Sequence, residues 1–269
     1  MGEILVVQPD PKTGMDRFET WLVDAGAKVR TLHPYDGDAL PERLDVDGLI
    51  VLGGRMSVAG PDASPWVAGV RDLLRQGVET GTPTLGLCLG GQLLAQAAGG
   101  TVTVGGSGLE AGAIAVDLTP AAADDELFAG VPAPFLTGSF HSDCISELPP
   151  GAVLLGGTAR YPHQAYRVGE RAWGLQFHPE LTPDRYLSWL GFVSNPSPQF
   201  ADELRRGHED LVRCDAEFAA ANAILARRFA GVVRAASLGR RSLRPSRRVA
   251  RGRSRSRRSS PPCPRRCGR

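Results

Sequence analysis

The chain has 269 residues, 42% of them hydrophobic, enough to bury a sizeable core. Aromatic residues are only 6%, which excludes a module built on aromatic stacking against sugars or bases. A net charge of +2 conceals two different polymers: residues 233–269 hold 14 of the 31 basic residues, all Arg, and none of the 29 acidic ones, so residues 1–232 carry 17 basic against 29 acidic side chains, a net −12.

The opening MGEILVVQPDP lacks a basic stretch followed by a long apolar run, so no signal peptide is expected. No run reaches about 18 apolar residues, and no membrane span is expected. Cys88, Cys144, Cys214, Cys263 and Cys267 are scattered without a metal-site spacing. Free thiols in a reducing cytoplasm are the expectation, with no metal and no cofactor.

In chain order, EILVVQ from Glu3 reads as a buried strand. A helix from Asp16 puts Phe18, Trp21, Leu22 and Ala25 on one face and stops at Gly26. Strands follow at Val29 and at Gly48, the second running into Gly53–Gly54. Ser64-Pro65 opens a helix through Val67, Val70, Leu73, Leu74 and Val78. A fourth strand at Thr84 leads into a helix from Leu89. Strand–helix alternation with uninterrupted apolar strands implies a mostly parallel sheet covered on both faces. From Gly112 to Phe177 several shorter strands are expected, including 113–118, 135–140 and 172–177, with a short acidic helix near 124–128. Thr182-Pro183 caps a further helix, and 200–229 reads as one or two Ala-rich helices. Beyond Val233 the apolar period vanishes into Arg, Ser and Pro, and disorder is predicted.

Gly86-Leu87-Cys88-Leu89-Gly90-Gly91-Gln92 sits between a strand and a helix. A sharp strand-to-helix turn lifts its central residue above a sheet and needs small neighbours, so G-x-C-x-G reads as a nucleophile elbow with sulfur in place of oxygen. The alternative is a Cys packed as a small hydrophobe in a Gly-rich turn. In Gly174-Leu175-Gln176-Phe177-His178-Pro179-Glu180, His178 and Glu180 are two apart, so an extended segment points both side chains the same way. His178 can then take a thiol proton while Glu180 fixes the ring. A surface His beside a carboxylate is the blander reading. Gly53–Gly54 at a strand end can turn a backbone N–H toward a ligand, opposite the N–H of Leu89.

These residues together resemble the class I (triad) glutamine amidotransferases, closest to small stand-alone proteins similar to the amidotransferase domain of GMP synthase. The resemblance runs from about Ile4 to Leu190. It rests on the elbow, the late H-P-E, the Gly-Gly strand end, and Phe140-His141-Ser142-Asp143 ahead of Leu148-Pro149-Pro150-Gly151. It implies a flavodoxin-like α/β three-layer sandwich over residues 1–195, followed by a helical extension over 196–232 and a tail over 233–269. By resemblance Cys88 is the nucleophile, His178 the general base and acid, and Glu180 its orienter. The main chain at Gly54 and Leu89 forms the oxyanion hole, and Gln92, with the backbone near Met56, Ser142 and Asp143, holds the amino-acid end of glutamine. Where the family often has Pro after the Gly pair, this chain has Arg55.

The implied reaction releases ammonia from glutamine through a γ-glutamyl thioester. No ATP-binding motif accompanies it, so the ammonia acceptor belongs to a separate synthetase subunit, or the chain is a hydrolase alone. A γ-glutamyl hydrolase with a larger substrate is the alternative, since Arg55 at the entrance suits an acidic compound. A regulatory protein on the same fold is a third reading. Nucleic-acid binding rests only on the Arg tail, whose composition a shifted reading frame explains equally well.

Overall fold

The computed structural model describes residues 2–58, 64–105 and 107–243, without the side chains of 240–243. Eleven strands and six α-helices are present among them. The strands are β1 (Glu3–Val7), β2 (Lys28–Leu32), β3 (Gly48–Val51), β4 (Thr84–Leu87), β5 (Thr101–Thr103), β6 (Glu110–Leu118), β7 (Phe135–His141), β8 (Cys144–Glu147), β9 (Val153–Gly157), β10 (Ala165–Val168) and β11 (Ala172–Leu175). The helices are α1 (Asp16–Asp24), α2 (Val67–Thr80), α3 (Leu89–Ala97), α4 (Pro120–Ala123), α5 (Pro183–Trp189) and α6 (Pro198–Leu243).

Nine strands form one sheet in the order β2-β1-β3-β4-β11-β10-β9-β6-β7. The half from β2 to β11 is parallel throughout, and the half from β11 to β7 is antiparallel throughout. The expected α/β sandwich is thus present, its sheet parallel in one half and antiparallel in the other rather than mostly parallel. Period-2 burial builds the layers. Ile4, Val6, Ile50 and Leu85 point to one face, where α1 and α6 deliver Phe18, Leu22, Leu225 and Phe229. Leu5, Val7, Leu49 and Val51 point to the other, where α2 and α3 deliver Val70, Leu73, Leu74 and Leu93. Strands buried on both faces carry the continuous apolar runs read in the sequence.

Local details depart from expectation in three places. Ser64 does not cap α2 with its side chain; the helix starts at Val67 after a turn that Val67 N–H closes on the Ser64 carbonyl. The acidic helix near 124–128 is instead the single turn α4, followed by a buried Asp125 that accepts from Leu127 N, Trp173 Nε1 and Arg167 Nε. A carboxylate with that many donors organises a loop rather than a helix.

The third departure is the largest. Residues 196–232 were expected to hold one or two helices before a disordered tail from 233, but α6 is one helix to Leu243. Val233 is buried in the main core, so close to Gly2 and Gly48 that a Cβ on Gly48 would lie 2.6 Å from its Cγ2. Ser237 is buried as well. The apolar period fades in sequence because the buried position one turn beyond Val233 is the polar Ser237, while Leu238 is exposed. The helix crosses the antiparallel wing first, where Gly207 packs on Gly112 of β6 and Asn222 hydrogen-bonds Thr137 and the Leu136 carbonyl of β7. It then meets Trp173 of β11 through Phe229. The remaining tail, 244–269, lies outside the described residues, as do Cys263 and Cys267.

Candidate active site

The turn from β4 into α3 places Cys88 at φ 48°, ψ −103°, a conformation that L-residues with side chains rarely adopt. Its surroundings hold it there. Cys88 N donates to the Leu175 carbonyl of β11 at 2.7 Å, and Gln92 N donates to the Cys88 carbonyl at 2.9 Å. The small neighbours are required by space. A Cβ on Gly90 would sit 2.1 Å from the Val51 carbonyl oxygen, one on Gly86 would sit 2.4 Å from the Gly90 oxygen, and one on Gly91 would sit 2.7 Å from the Leu175 oxygen. All three obstacles are backbone and cannot rotate away.

The His178 backbone is pinned across the sheet, its N–H donating to the Gly138 carbonyl of β7 at 2.7 Å. β11 ends at Leu175 rather than Phe177, and His178-Pro179-Glu180 is a turn, closed by Leu181 N on the His178 carbonyl, rather than an extended segment. The two side chains still meet. His178 Nδ1 donates to Glu180 Oε1 at 2.6 Å, with both side chains at 3% exposure or less. Trp189 of α5 packs edge-on against the ring at 4.7 Å. Burial alone would push the His178 pKa down. The charge of Glu180, then the Cys88 sulfur, outweigh it and raise it from 6.5 to about 10. The ring and the elbow flank one point, since a Cβ on Gly53 would lie 2.9 Å from His178 Cε1 and 3.6 Å from Cys88 Cβ.

Gly54 lies against the start of α3, where its missing Cβ would be 2.7 Å from Leu89 Cδ2. The Gly53–Gly54–Arg55 turn is braced from the loop after β1. Thr13 Oγ1 donates to the Gly53 carbonyl at 2.6 Å. Buried Asp10 accepts from Arg55 N (3.1 Å), Nε (2.7 Å) and Nη2 (3.2 Å), and from Lys12 N (2.8 Å). Burial pushes the Asp10 carboxyl up, but these bonds, led by the Arg55 side chain, hold it below its ordinary value. The Arg55 guanidinium also sits 5.0 Å from the Phe192 ring, closing one side of the entrance. Its charge is therefore paired with Asp10, which weakens the pull it exerts on an acidic γ-glutamyl substrate.

These elements surround a cavity of about 490 Å³. Cys88, His178, Gly54, Met56, Gln92, Ser142 and Asp143 all line it, whereas Leu89 and Glu180 stand behind the lining. Gln92 Nε2 donates to the Asp143 carbonyl at 2.9 Å. Three further residues contribute, none of which the sequence assigns a role. Gln176 places Nε2 at 3.9 Å from Cys88 Sγ and receives Gln92 Nε2 at 3.4 Å; it sits two residues before His178, inside a quoted motif. Asp10 carries no motif of its own. His141 lines the cavity and bonds Glu110. Among the described residues, no group of three or more His, Cys, Asp or Glu is placed to hold a metal, and no helix is long and apolar enough to cross a membrane.

Fold and site together define an α/β protein with a cysteine on a strand–helix elbow beside a buried His–carboxylate pair. The pattern of the class-I glutamine amidotransferases matches residues 15–189, and the chain belongs to that family. It is 39% identical over 161 residues to a glutamine-hydrolyzing GMP synthase of Thermomicrobium roseum, covering 57% of this chain and 28% of that one. It is 34% identical over 182 residues to the GMP synthase of Thermobifida fusca, covering 61% and 32%. The chain thus spans about a third of the length of these relatives. Among solved structures, a glutamine amidotransferase of Methylobacillus flagellatus superposes with a TM-score of 0.74 at 25% identity, over 86% of this chain and 95% of that one. One of Thermotoga maritima, at 23% identity, shares the fold with a TM-score of 0.72 over 86% and 98%.

Proposed function

We propose that the protein hydrolyses the side-chain amide of glutamine, with Cys88 as nucleophile, His178 as proton carrier and Glu180 as its orienter. The observation that carries this reading is the strained Cys88 backbone in the lining of a cavity that also holds His178, itself paired with buried Glu180. The His178 ring, whose raised pKa favours holding a proton, carries the proton of Cys88 while the sulfur adds to the amide carbon. The oxyanion that forms is received by main-chain N–H groups at Gly54 and Leu89. His178 then passes the proton to the departing nitrogen, the C–N bond breaks, and ammonia leaves behind a γ-glutamyl thioester. Water, deprotonated by His178, adds to the thioester; glutamate departs and the sulfur regains its proton. Glu180 balances the charge of His178 throughout.

Gln92 and the backbone near Met56, Ser142 and Asp143 bind the amino-acid end of the substrate. No cofactor enters these steps. The chain covers only 28% and 32% of the GMP synthases it resembles and carries no ATP-binding motif, so in this reading ammonia passes to an acceptor on a separate synthetase subunit. We place the protein in the cytoplasm, where glutamine is available and Cys88 stays reduced. The test is ammonia and glutamate release from glutamine, compared with γ-glutamyl amines and peptides. Turnover of glutamine that is absent in Cys88→Ala supports the reading; turnover of γ-glutamyl peptides alone overturns it in favour of the hydrolase.

A further inference from the structure

Glu110 is the first residue of β6 and His141 the last of β7, and the antiparallel register sets them directly opposite. Opposed residues share one face with Cβ atoms about 5 Å apart. Here the side chains close on each other: His141 Nε2 lies 3.2 Å from Glu110 Oε2, with only 2% and 8% of the two side chains exposed. Glu110 is fixed from several sides. Its Oε2 also accepts from Ser139 Oγ (3.0 Å) and Gln164 Nε2 (2.7 Å), and its Oε1 from Thr158 Oγ1 (3.3 Å). Burial pushes this carboxyl up, but His141 and these donors hold it below the usual glutamate value.

The other ring nitrogen, His141 Nδ1, lies 3.1 Å from the Asp143 carbonyl. That carbonyl is the one that receives Gln92 Nε2. A carbonyl oxygen has two lone pairs, and both are directed here to side chains of the cavity. The peptide group after Asp143 cannot turn without breaking two hydrogen bonds. The Tyr161 ring, 4.7 Å from the imidazole, packs against His141.

We propose that Glu110 and His141 are positioning residues for the amino-acid end of the cavity. They fix the Asp143 carbonyl and, through it, the Ser142–Asp143 backbone and the Gln92 amide that receive the substrate. The inference rests on the glutamine reading above and deepens it. Without His141 the Asp143 carbonyl keeps one partner, Gln92, whose amide is shared with Gln176, and the peptide is no longer held from two sides.

Two electrophiles aimed at Cys88 test this. Iodoacetamide needs only the sulfur, whereas a chloromethyl ketone on the glutamine skeleton also needs the amino-acid end of the cavity. In His141→Asn and Glu110→Ala the second-order labelling rate with the chloromethyl ketone should fall by roughly tenfold or more. The iodoacetamide rate should stay within about twofold, the size of change that a sulfur left in place allows. Glu110→Gln keeps an acceptor for His141 Nε2 and should retain most of the chloromethyl ketone rate, and KM for glutamine should rise in the same order. If Glu110→Ala fails to fold, the contrast between His141→Asn and Glu110→Gln carries the same test. An equal fall with both electrophiles would place His141 in support of Cys88 or of the fold and overturn the proposal, as would an unchanged ratio. A wild-type protein that reacts with iodoacetamide but shows no preference for the glutamine-shaped reagent would instead bring down the glutamine reading itself.

Discussion

His178 and His141 line the same cavity, each bonded to a buried carboxylate, yet they differ in what remains free. His178 gives Nδ1 to Glu180 and keeps its other nitrogen for the neighbourhood of Cys88. His141 faces a fixed acceptor at each nitrogen, Glu110 and the Asp143 carbonyl, and with an N–H on each it donates to both. A ring with one free nitrogen can carry a proton between partners; a ring with both committed can only hold a shape. The same side-chain pairing thus serves chemistry in one place and geometry in the other, and the sequence positions of the carboxylates follow the same division. Glu180 is two residues from its histidine, on one turn, and Glu110 is 31 residues away, on the next strand.

The sharpest break in this comparison comes at the nucleophile. Cys88→Ala should reduce ammonia release by about a thousandfold or more, while Glu180→Gln should be roughly a hundredfold less damaging, because an orienting group matters less than the nucleophile it serves. Equal losses in the two variants, with both folded, would mean that Glu180 does more than orient. The elbow itself is tested by Gly90→Ala. Its Cβ would meet backbone at 2.1 Å, so a destabilisation of about 3 kcal/mol or more is expected in denaturant unfolding. A variant of near wild-type stability would show that the turn can open.

That division also decides what could be read without coordinates. The parallel half of the sheet was legible because β1, β3 and β4 are buried on both faces and announce themselves as continuous apolar runs. The Cys88 elbow and the His178–Glu180 pair were legible because each lies within one short motif. The pairing of Glu110 with His141 was not: His141 stood in the Phe140-His141-Ser142-Asp143 marker without a partner, and the expected strands, 113–118 and 135–140, left out both residues. Only the register between β6 and β7 brings them together. Asp10 is hidden for the same reason: its partner Arg55 is 45 residues away. The His178 and Glu180 side chains meet as the spacing implies, but through a turn rather than the extended segment expected.

A smaller effect follows from charge. Asp10 is buried and takes four hydrogen bonds, three of them from Arg55, whose side chain is half exposed. Asp10→Ala should therefore destabilise by about 1–3 kcal/mol, discounted from a fully buried pair. If the oxyanion turn depends on this brace, kcat falls with it; an unchanged kcat at reduced stability would confine Asp10 to the fold. His178 gives a pH signature. A group whose pKa rises on folding, from 6.5 to about 10, adds stability that is complete below pH 6.5 and lost as pH climbs through 10. The gap in Tm between wild type and Glu180→Gln should be widest below pH 6.5 and shrink steadily toward pH 10. A gap that widens with rising pH would contradict the charged pair.

Both histidines lean on β7, which carries His141 and bridges His178 through Gly138, and β7 in turn leans on α6. The support common to the two pairs is therefore tested at the far end of the chain. Removing 244–269, with its 11 Arg, should leave glutaminase rate and thermal unfolding close to those of the full chain and abolish retention on heparin. A cut after Gly231 removes Val233 from the core. Losing that one buried side chain costs about 2 kcal/mol, and the helix end beyond it goes too. Gly231→Ala makes the opposite perturbation at the same place. Nothing lies within 4 Å of the added methyl, so replacing glycine inside a helix should stabilise by about 0.5–1 kcal/mol. If the cut after Gly231 were as stable as the full chain, the last turns of α6 would contribute nothing, and the packing of Val233 against Gly2 and Gly48 would have to be abandoned as a brace.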